Sequence, residues 1–190
     1  MGVFFAGGAF ESAVNVAPNR FSALNFSNAY LVNADKFANQ FDFFFFPYFD
    51  DQALTRSFET QQPTAAGVVF TQSLLSHAAV NFTGPVHVVR PFRVSFFFSL
   101  LTVHRQVTGQ QDFPNCANNC FAVPAGSNFS SIPEAVRELY PKTSNFTTFI
   151  PENTGHAVNA HFTAPEVYRE MIGFVRAVFS NNTLSSNSTA

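Results

Sequence analysis

Two loops constrain this chain more than any other part of it: Gly109-Gln-Gln-Asp112 and Asn153-Thr-Gly-His-Ala157. Asp112 and His156 stand 44 positions apart. Each follows a short apolar run, residues 86–89 and 107–108 ahead of the aspartate and residues 146–150 ahead of the histidine. An amphipathic helical stretch lies between the two loops, and another follows the second. The pattern predicts strand–loop–helix twice over, which is an α/β fold. Open α/β sheets carry their chemistry on the loops that leave the strand ends. An aspartate and a histidine on two such loops fit hydrolytic triad logic. There a buried carboxylate fixes the imidazole tautomer, and the imidazole takes a proton from a nucleophile.

The flanking segments support this division. Ser131-Ile-Pro-Glu134 is a capping box with proline in the first turn; Ile132, Ala135, Val136 and Leu139 form one face, and Pro141 ends the helix. Thr163-Ala-Pro-Glu166 is a second capping box. Val167, Met171, Phe174, Val175 and Val178 follow it at core-facing spacing, with Arg169, Glu170 and Arg176 toward water. Residues 67–77 predict another helix, and Gly84-Pro85 punctuates before the β-prone Val86-His-Val-Val89. Residues 1–17 are small and apolar without a period, a remnant ahead of the next region. Residues 18–80 read as a helical lid region, and residues 18–63 hold no alternating strand pattern. Phe37, Phe41, Phe44 and Phe45 recur at helical spacing before the turn Pro47-Tyr-Phe-Asp-Asp51. That is the texture of a lid, or of plain core packing. Residues 81–179 form the α/β core, and the Asn/Ser/Thr-rich residues 180–190 are predicted to be a disordered tail.

Composition sets the outer limits. With 190 residues, 46% hydrophobic and 12% charged, the chain has the makeup of one globular domain or a large piece of one. A net charge of −2 gives no electrostatic reason to invoke nucleic acid or an anionic membrane. The longest apolar stretch, residues 94–103, is far short of the roughly 20 residues that span a bilayer. The apolar N-terminus lacks the basic region and cleavage site of a signal peptide. Sequons at Asn25, Asn81, Asn128, Asn145, Asn181 and Asn187, together with the cysteines, nevertheless point to a secreted chain. Cys116 and Cys120, the only cysteines, either close a small loop or remain buried thiols. They form no zinc site, because no second Cys/His pair has suitable spacing. His161 follows His156 by five positions, but no third metal ligand accompanies them, and His77, His87 and His104 carry no signal.

Residues 18–178 resemble the C-terminal half of secreted fungal α/β-hydrolases. The resemblance lies in Arg20-Phe-Ser-Ala-Leu-Asn-Phe-Ser-Asn-Ala-Tyr-Leu-Val-Asn-Ala-Asp35, in Asn39-Gln-Phe-Asp-Phe-Phe-Phe-Phe-Pro-Tyr-Phe-Asp50 and in Phe82-Thr-Gly-Pro-Val86. It is most specific in Thr108-Gly-Gln-Gln-Asp-Phe-Pro-Asn-Cys116 and Asn153-Thr-Gly-His-Ala157. It implies the last parallel strands and flanking helices of an α/β-hydrolase sheet, preceded by helical lid segments. It also implies Asp112 as triad acid, His156 as triad base, a Cys116–Cys120 disulfide beside the acid, and residues 18–66 in the lid. The parent activity would be hydrolysis of a small-molecule ester or amide-type bond through serine acylation, with no metal or organic cofactor.

The chain departs from that family twice. Residues 1–190 contain no G-x-S-x-G and no glycine-rich oxyanion segment, both of which the family places before the acid. A triad acts as a unit, and losing its nucleophile costs on the order of 10⁶ in turnover. The chain is therefore expected to supply the acid–base half without turnover. The second departure is the stretch 90–107, which stands where the family runs straight from the strand to the acid. Translation of a short retained intron would give such a peptide, and so would a surface insertion. The rival reading is a non-enzymatic domain that binds an apolar partner through its phenylalanines, or a pseudogene product.

Overall fold

A computed structural model of the chain describes residues 3–4, 9–71, 77–89 and 112–186. Among them the protein is mixed α/β with two separate sheets. The first is antiparallel and runs in the order β1 (Val3–Phe4), β2 (Ala9–Ser12), β3 (Tyr30–Asn33), β4 (Thr64–Ala65). Phe10 pairs with Asn33 and Ser12 with Leu31, while Tyr30 pairs with Ala65 on the other edge. These strands correct the reading of residues 1–17 as a remnant and of 18–80 as helical. In β3, Leu31, Val32 and Asn33 are consecutive and all buried. A strand covered on both faces shows no alternation, so its period disappears from the sequence.

The helices between those strands begin as their sequence dictates. Asp35 caps α3 (Lys36–Phe43) by accepting from the Ala38 amide at 2.7 Å. Asp50 caps α4 (Asp51–Thr60) by accepting from the Gln52 amide at 2.7 Å. Of the four aromatics expected on one face, Phe44 is buried and Phe37 is 73% exposed. The stripe breaks because α3 ends at Phe43, and Phe44 continues in extended backbone that points it elsewhere. The short α1 (Ala13–Val16) and α2 (Pro18–Phe21) pack Ala13 and Phe21 against Val32 of β3. The helix expected over 67–77 is present as α5 (Ala66–Thr71); residues 72–76 lie outside the described residues.

The second sheet is a parallel pair, β5 (Val86–Val88) and β6 (Phe146–Thr148), with Val86, His87 and Val88 opposite Phe146, Thr147 and Thr148. One face packs Val88 and Phe146 on Val136 and Leu139. Those two belong to the turn after α7 (Ile132–Ala135), which Ser131 caps by accepting from the Glu134 amide. The Glu134 carboxylate returns to the amide of Ser130 at 2.8 Å rather than to Ser131. The other face meets α8 (Ala164–Ser186), where the His87 ring stacks on Phe174 at 4.7 Å and its Nδ1 lies 2.7 Å from Thr147 Oγ1.

Helix α8 differs from expectation at both ends. The Thr163 hydroxyl lies 2.6 Å from that of Thr154 and so serves the histidine loop. Val167 is buried, but Val175 is 49% exposed; among the described residues the parallel sheet beneath the helix has two strands. Residues 180–186 are helical, which corrects that part of the disordered-tail reading. Once a helix is nucleated, adding each residue is cheap, and polar side chains do not stop it. Segment 90–107, like Gly109-Gln-Gln111 and residues 187–190, lies outside the described residues. No helix among the described residues is long and apolar enough to cross a membrane.

Candidate functional site

Asp112 is fully buried and is held by its own neighbours in sequence. It caps α6 (Phe113–Cys116): Oδ1 accepts from the Asn115 amide at 2.8 Å, and Oδ2 accepts from Asn115 Nδ2 at 3.1 Å. The backbone then turns through left-handed Ala117 (φ 48°) and Asn118 (φ 66°). That turn brings the Asn118 amide back to the Asp112 carbonyl at 3.2 Å. Cys116 and Cys120 are bonded at an S–S distance of 2.17 Å and close this loop. Both are buried against Ile132, with Ile150 packed beside them, which ties the acid loop to the segment leaving β6.

His156 comes from the other loop and reaches Asp112 directly. Its Nδ1 lies 2.7 Å from Asp112 Oδ2. An ionised carboxylate can only accept, so Nδ1 carries the proton in the neutral ring and Nε2 is the basic nitrogen. Asn115 Nδ2 lies 3.0 Å from the same Nδ1, but both are donors in this tautomer, so the amide's hydrogen bond goes to Asp112 Oδ2. Each residue of Asn153-Thr-Gly-His has a physical reason to be there. Asn153 is left-handed (φ 51°), a conformation asparagine tolerates. Thr154 is buried and donates to the Glu152 carbonyl at 2.6 Å. A Cβ on Gly155 would fall 2.8 Å from the Phe43 carbonyl oxygen and 2.9 Å from the Phe45 nitrogen, so only glycine lets the two backbones meet.

Helix α3 lies across both loops. Phe41 packs on Phe113 beside the acid, and Phe43 packs on His156, at centroid distances of 4.6 and 5.4 Å. Between those aromatics Asp42 is buried, and its carboxyl accepts from Asn33 Nδ2 at 2.5 Å. Burial lifts its pKa to about 6, against the lowering pull of the Asn33 amide and of His156. Beyond Phe43 and Ala157 lies a cavity of about 260 Å³ that also touches Leu31, Asn39, Ser57 and Thr64. That is slightly below the usual range for small-molecule pockets.

The sequence-predicted residues are thus distributed as follows. Asp112, His156, Cys116 and Cys120 meet in one place. His161 is buried on the histidine loop, His87 lies under α8, and His77 is exposed. His104 lies outside the described residues. Asn25, Asn81, Asn128 and Asn145 are all on the surface. The side chains of Asn181 and Asn187 lie outside the described residues. No group of three His, Cys, Asp or Glu among the described residues could hold a metal ion. Sequence reasoning missed Asn115, Asp42 and the role of His161. The available signal for Asp42 was an acid set between two phenylalanines, Phe41 and Phe43. Comparison with known proteins returns no matching family model, no matching curated protein and no matching solved structure.

Proposed function

We propose that this chain carries the acid and the base of a Ser-Asp-His hydrolase, with Asp112 orienting His156 and His156 serving as general base and then general acid. The observation that carries this reading is the 2.7 Å contact from His156 Nδ1 to a buried Asp112 carboxylate. In triad chemistry that contact fixes the tautomer and leaves Nε2 to take the nucleophile's proton. The parallel β5–β6 pair supports the reading as well, since both residues lie on segments beyond that pair, as in an open α/β sheet. The fold to which this belongs is the α/β-hydrolase fold, and residues 1–190 are its acid–base portion. The nucleophile would come from sequence outside them, since none of their serines lies in G-x-S-x-G. The substrate would be a small-molecule ester or amide, the setting a secreted one.

The test is to sequence the transcript on both sides of this reading frame and through codons 89–108, then to assay the full product on a short-chain aryl ester. Turnover that His156→Ala removes is the expected result. Ester turnover unaffected by His156→Ala would sink the proposal. A second reading, an apolar-binding module without catalysis, draws on the exposed rings of Phe37, Phe46 and Phe162. It predicts dye binding that substitution of those rings removes, with no His156-dependent turnover.

A further inference from the structure

His161 has the surroundings of a latch. The ring is 4% exposed. Its Nδ1 donates to the Ala157 carbonyl at 2.8 Å, which fixes Nε2 as the unprotonated acceptor. That one nitrogen accepts two backbone amides from different parts of the chain, Gly155 at 3.0 Å and Phe45 at 3.0 Å. Gly155 immediately precedes His156; Phe45 follows the helix whose Phe43 lies on the His156 ring. Phe44 stacks on the His161 ring at 5.8 Å, and Phe49 approaches edge-on while bridging to His161 through the backbone. The Phe43 carbonyl also accepts from Ala157 at 2.8 Å.

We propose that His161 is a positioning residue for His156. On this proposal its neutral ring clamps the aromatic segment 43–49 onto the histidine loop, and its protonation releases that segment. It rests on the Asp112–His156 reading only in the choice of which residue matters; the clamp itself is a claim about geometry. The chemistry is one of donor count. A protonated imidazole has two N–H groups and no lone pair, so the amides of Gly155 and Phe45 would both face a donor. Burial already favours the neutral form, more strongly than the Ala157 carbonyl favours the charged one. The titratable groups on the surrounding segments are Asp42, Tyr48, Asp50, Glu152, His156 and Glu166. Asp42 and Asp50 are engaged elsewhere, by Asn33 and by the Gln52 amide.

The experiment uses the chain of residues 1–190, labelled with nitrogen-15. It follows amide exchange at Phe45 and Gly155, the His161 ring signals, and the low-field Nδ1–H signal of His156. In the wild type, protection of both amides should fall together, tenfold or more, as His161 titrates, and the His156 signal should fade with them. His161→Phe keeps a ring but removes the acceptor, so protection should be low at every pH. His161→Gln offers an oxygen that can accept both amides, so protection should return without the pH step. Amides that stay protected through the His161 titration would overturn the proposal, and so would a folded His161→Phe with an unchanged His156 signal. If His161→Phe does not fold, the wild-type titration decides alone. None of these readouts needs turnover, so a failure of the hydrolase reading would leave them standing.

Discussion

The loop of Asp112 and the loop of His156 hold these two residues by opposite means. Asp112 is fixed by contacts within a few positions of itself: the Asn115 amide, the return of Asn118, and a disulfide spanning four positions. His156 is fixed by contacts that reach more than a hundred positions back, through His161 to Phe45 and through Ala157 to Phe43. A local clasp forms wherever its few residues are present. A distant one exists only when the rest of the fold is in place. The positions of the two halves of the pair should therefore respond differently to perturbation.

The sharpest way to break that comparison is Gly155→Ala. The new methyl meets backbone, which cannot move aside, so overpacking should cost about 2–3 kcal/mol in urea unfolding. The His156 Nδ1–H signal should weaken while the disulfide remains. Removing the clasp on the other side, with Cys116→Ser and Cys120→Ser together, frees a loop of about five residues and should cost about 2 kcal/mol. That variant should leave Phe45 and Gly155 protected; if it exposes them, the two loops are not independently held.

Acidity separates the halves further. Asp42 is raised in the folded protein from 3.8 to about 6, so the folded state holds the extra proton and stability falls as pH rises through that interval. His161 is lowered from 6.5, so stability instead falls as pH drops below 6.5. Asp42→Asn should abolish the first slope and keep the second, measured as urea midpoints from acid to neutral pH. The smallest effect belongs to Ala117→Gly. Relief of a left-handed alanine at φ 48°, less the entropy glycine adds to the unfolded chain, should stabilise by about 0.5 kcal/mol.

The same division explains what could be read in the sequence. Asp112 is legible from its place after an apolar run, while Cys116 and Cys120, only four positions apart, leave a closed loop and free thiols both open until the structure joins them. Ser131 is legible as a cap because its partner is a neighbour. The strand at 86–88 is short and β-rich, and it is where the apolar run placed it. His161, by contrast, looks idle, because one of its two donors, the Phe45 amide, comes from 116 positions away and is brought near only by folding. The strand Tyr30–Asn33 carries no alternation because both of its faces are covered. Phe44 and Phe45 matched a helical face that α3, ending at Phe43, is too short to continue.

The parallel pairing of β5 with β6 has a kinetic consequence. Its partners, Val86 and Phe146, are separated by most of the second half of the chain, and nothing local rewards closing that span. Closure entropy has to be met before any pairing enthalpy returns. The hairpin-like pairing of residues 9–12 with 30–33 spans a much shorter stretch and should form earlier. Pulse-labelled refolding should then show the Val32 amide protected before Val88, and the Asp112–His156 contact should be among the last formed. During that delay a newly made chain would display its aromatic segment to every other chain nearby, so the rate of β5–β6 closure would govern how much of it reaches the native state.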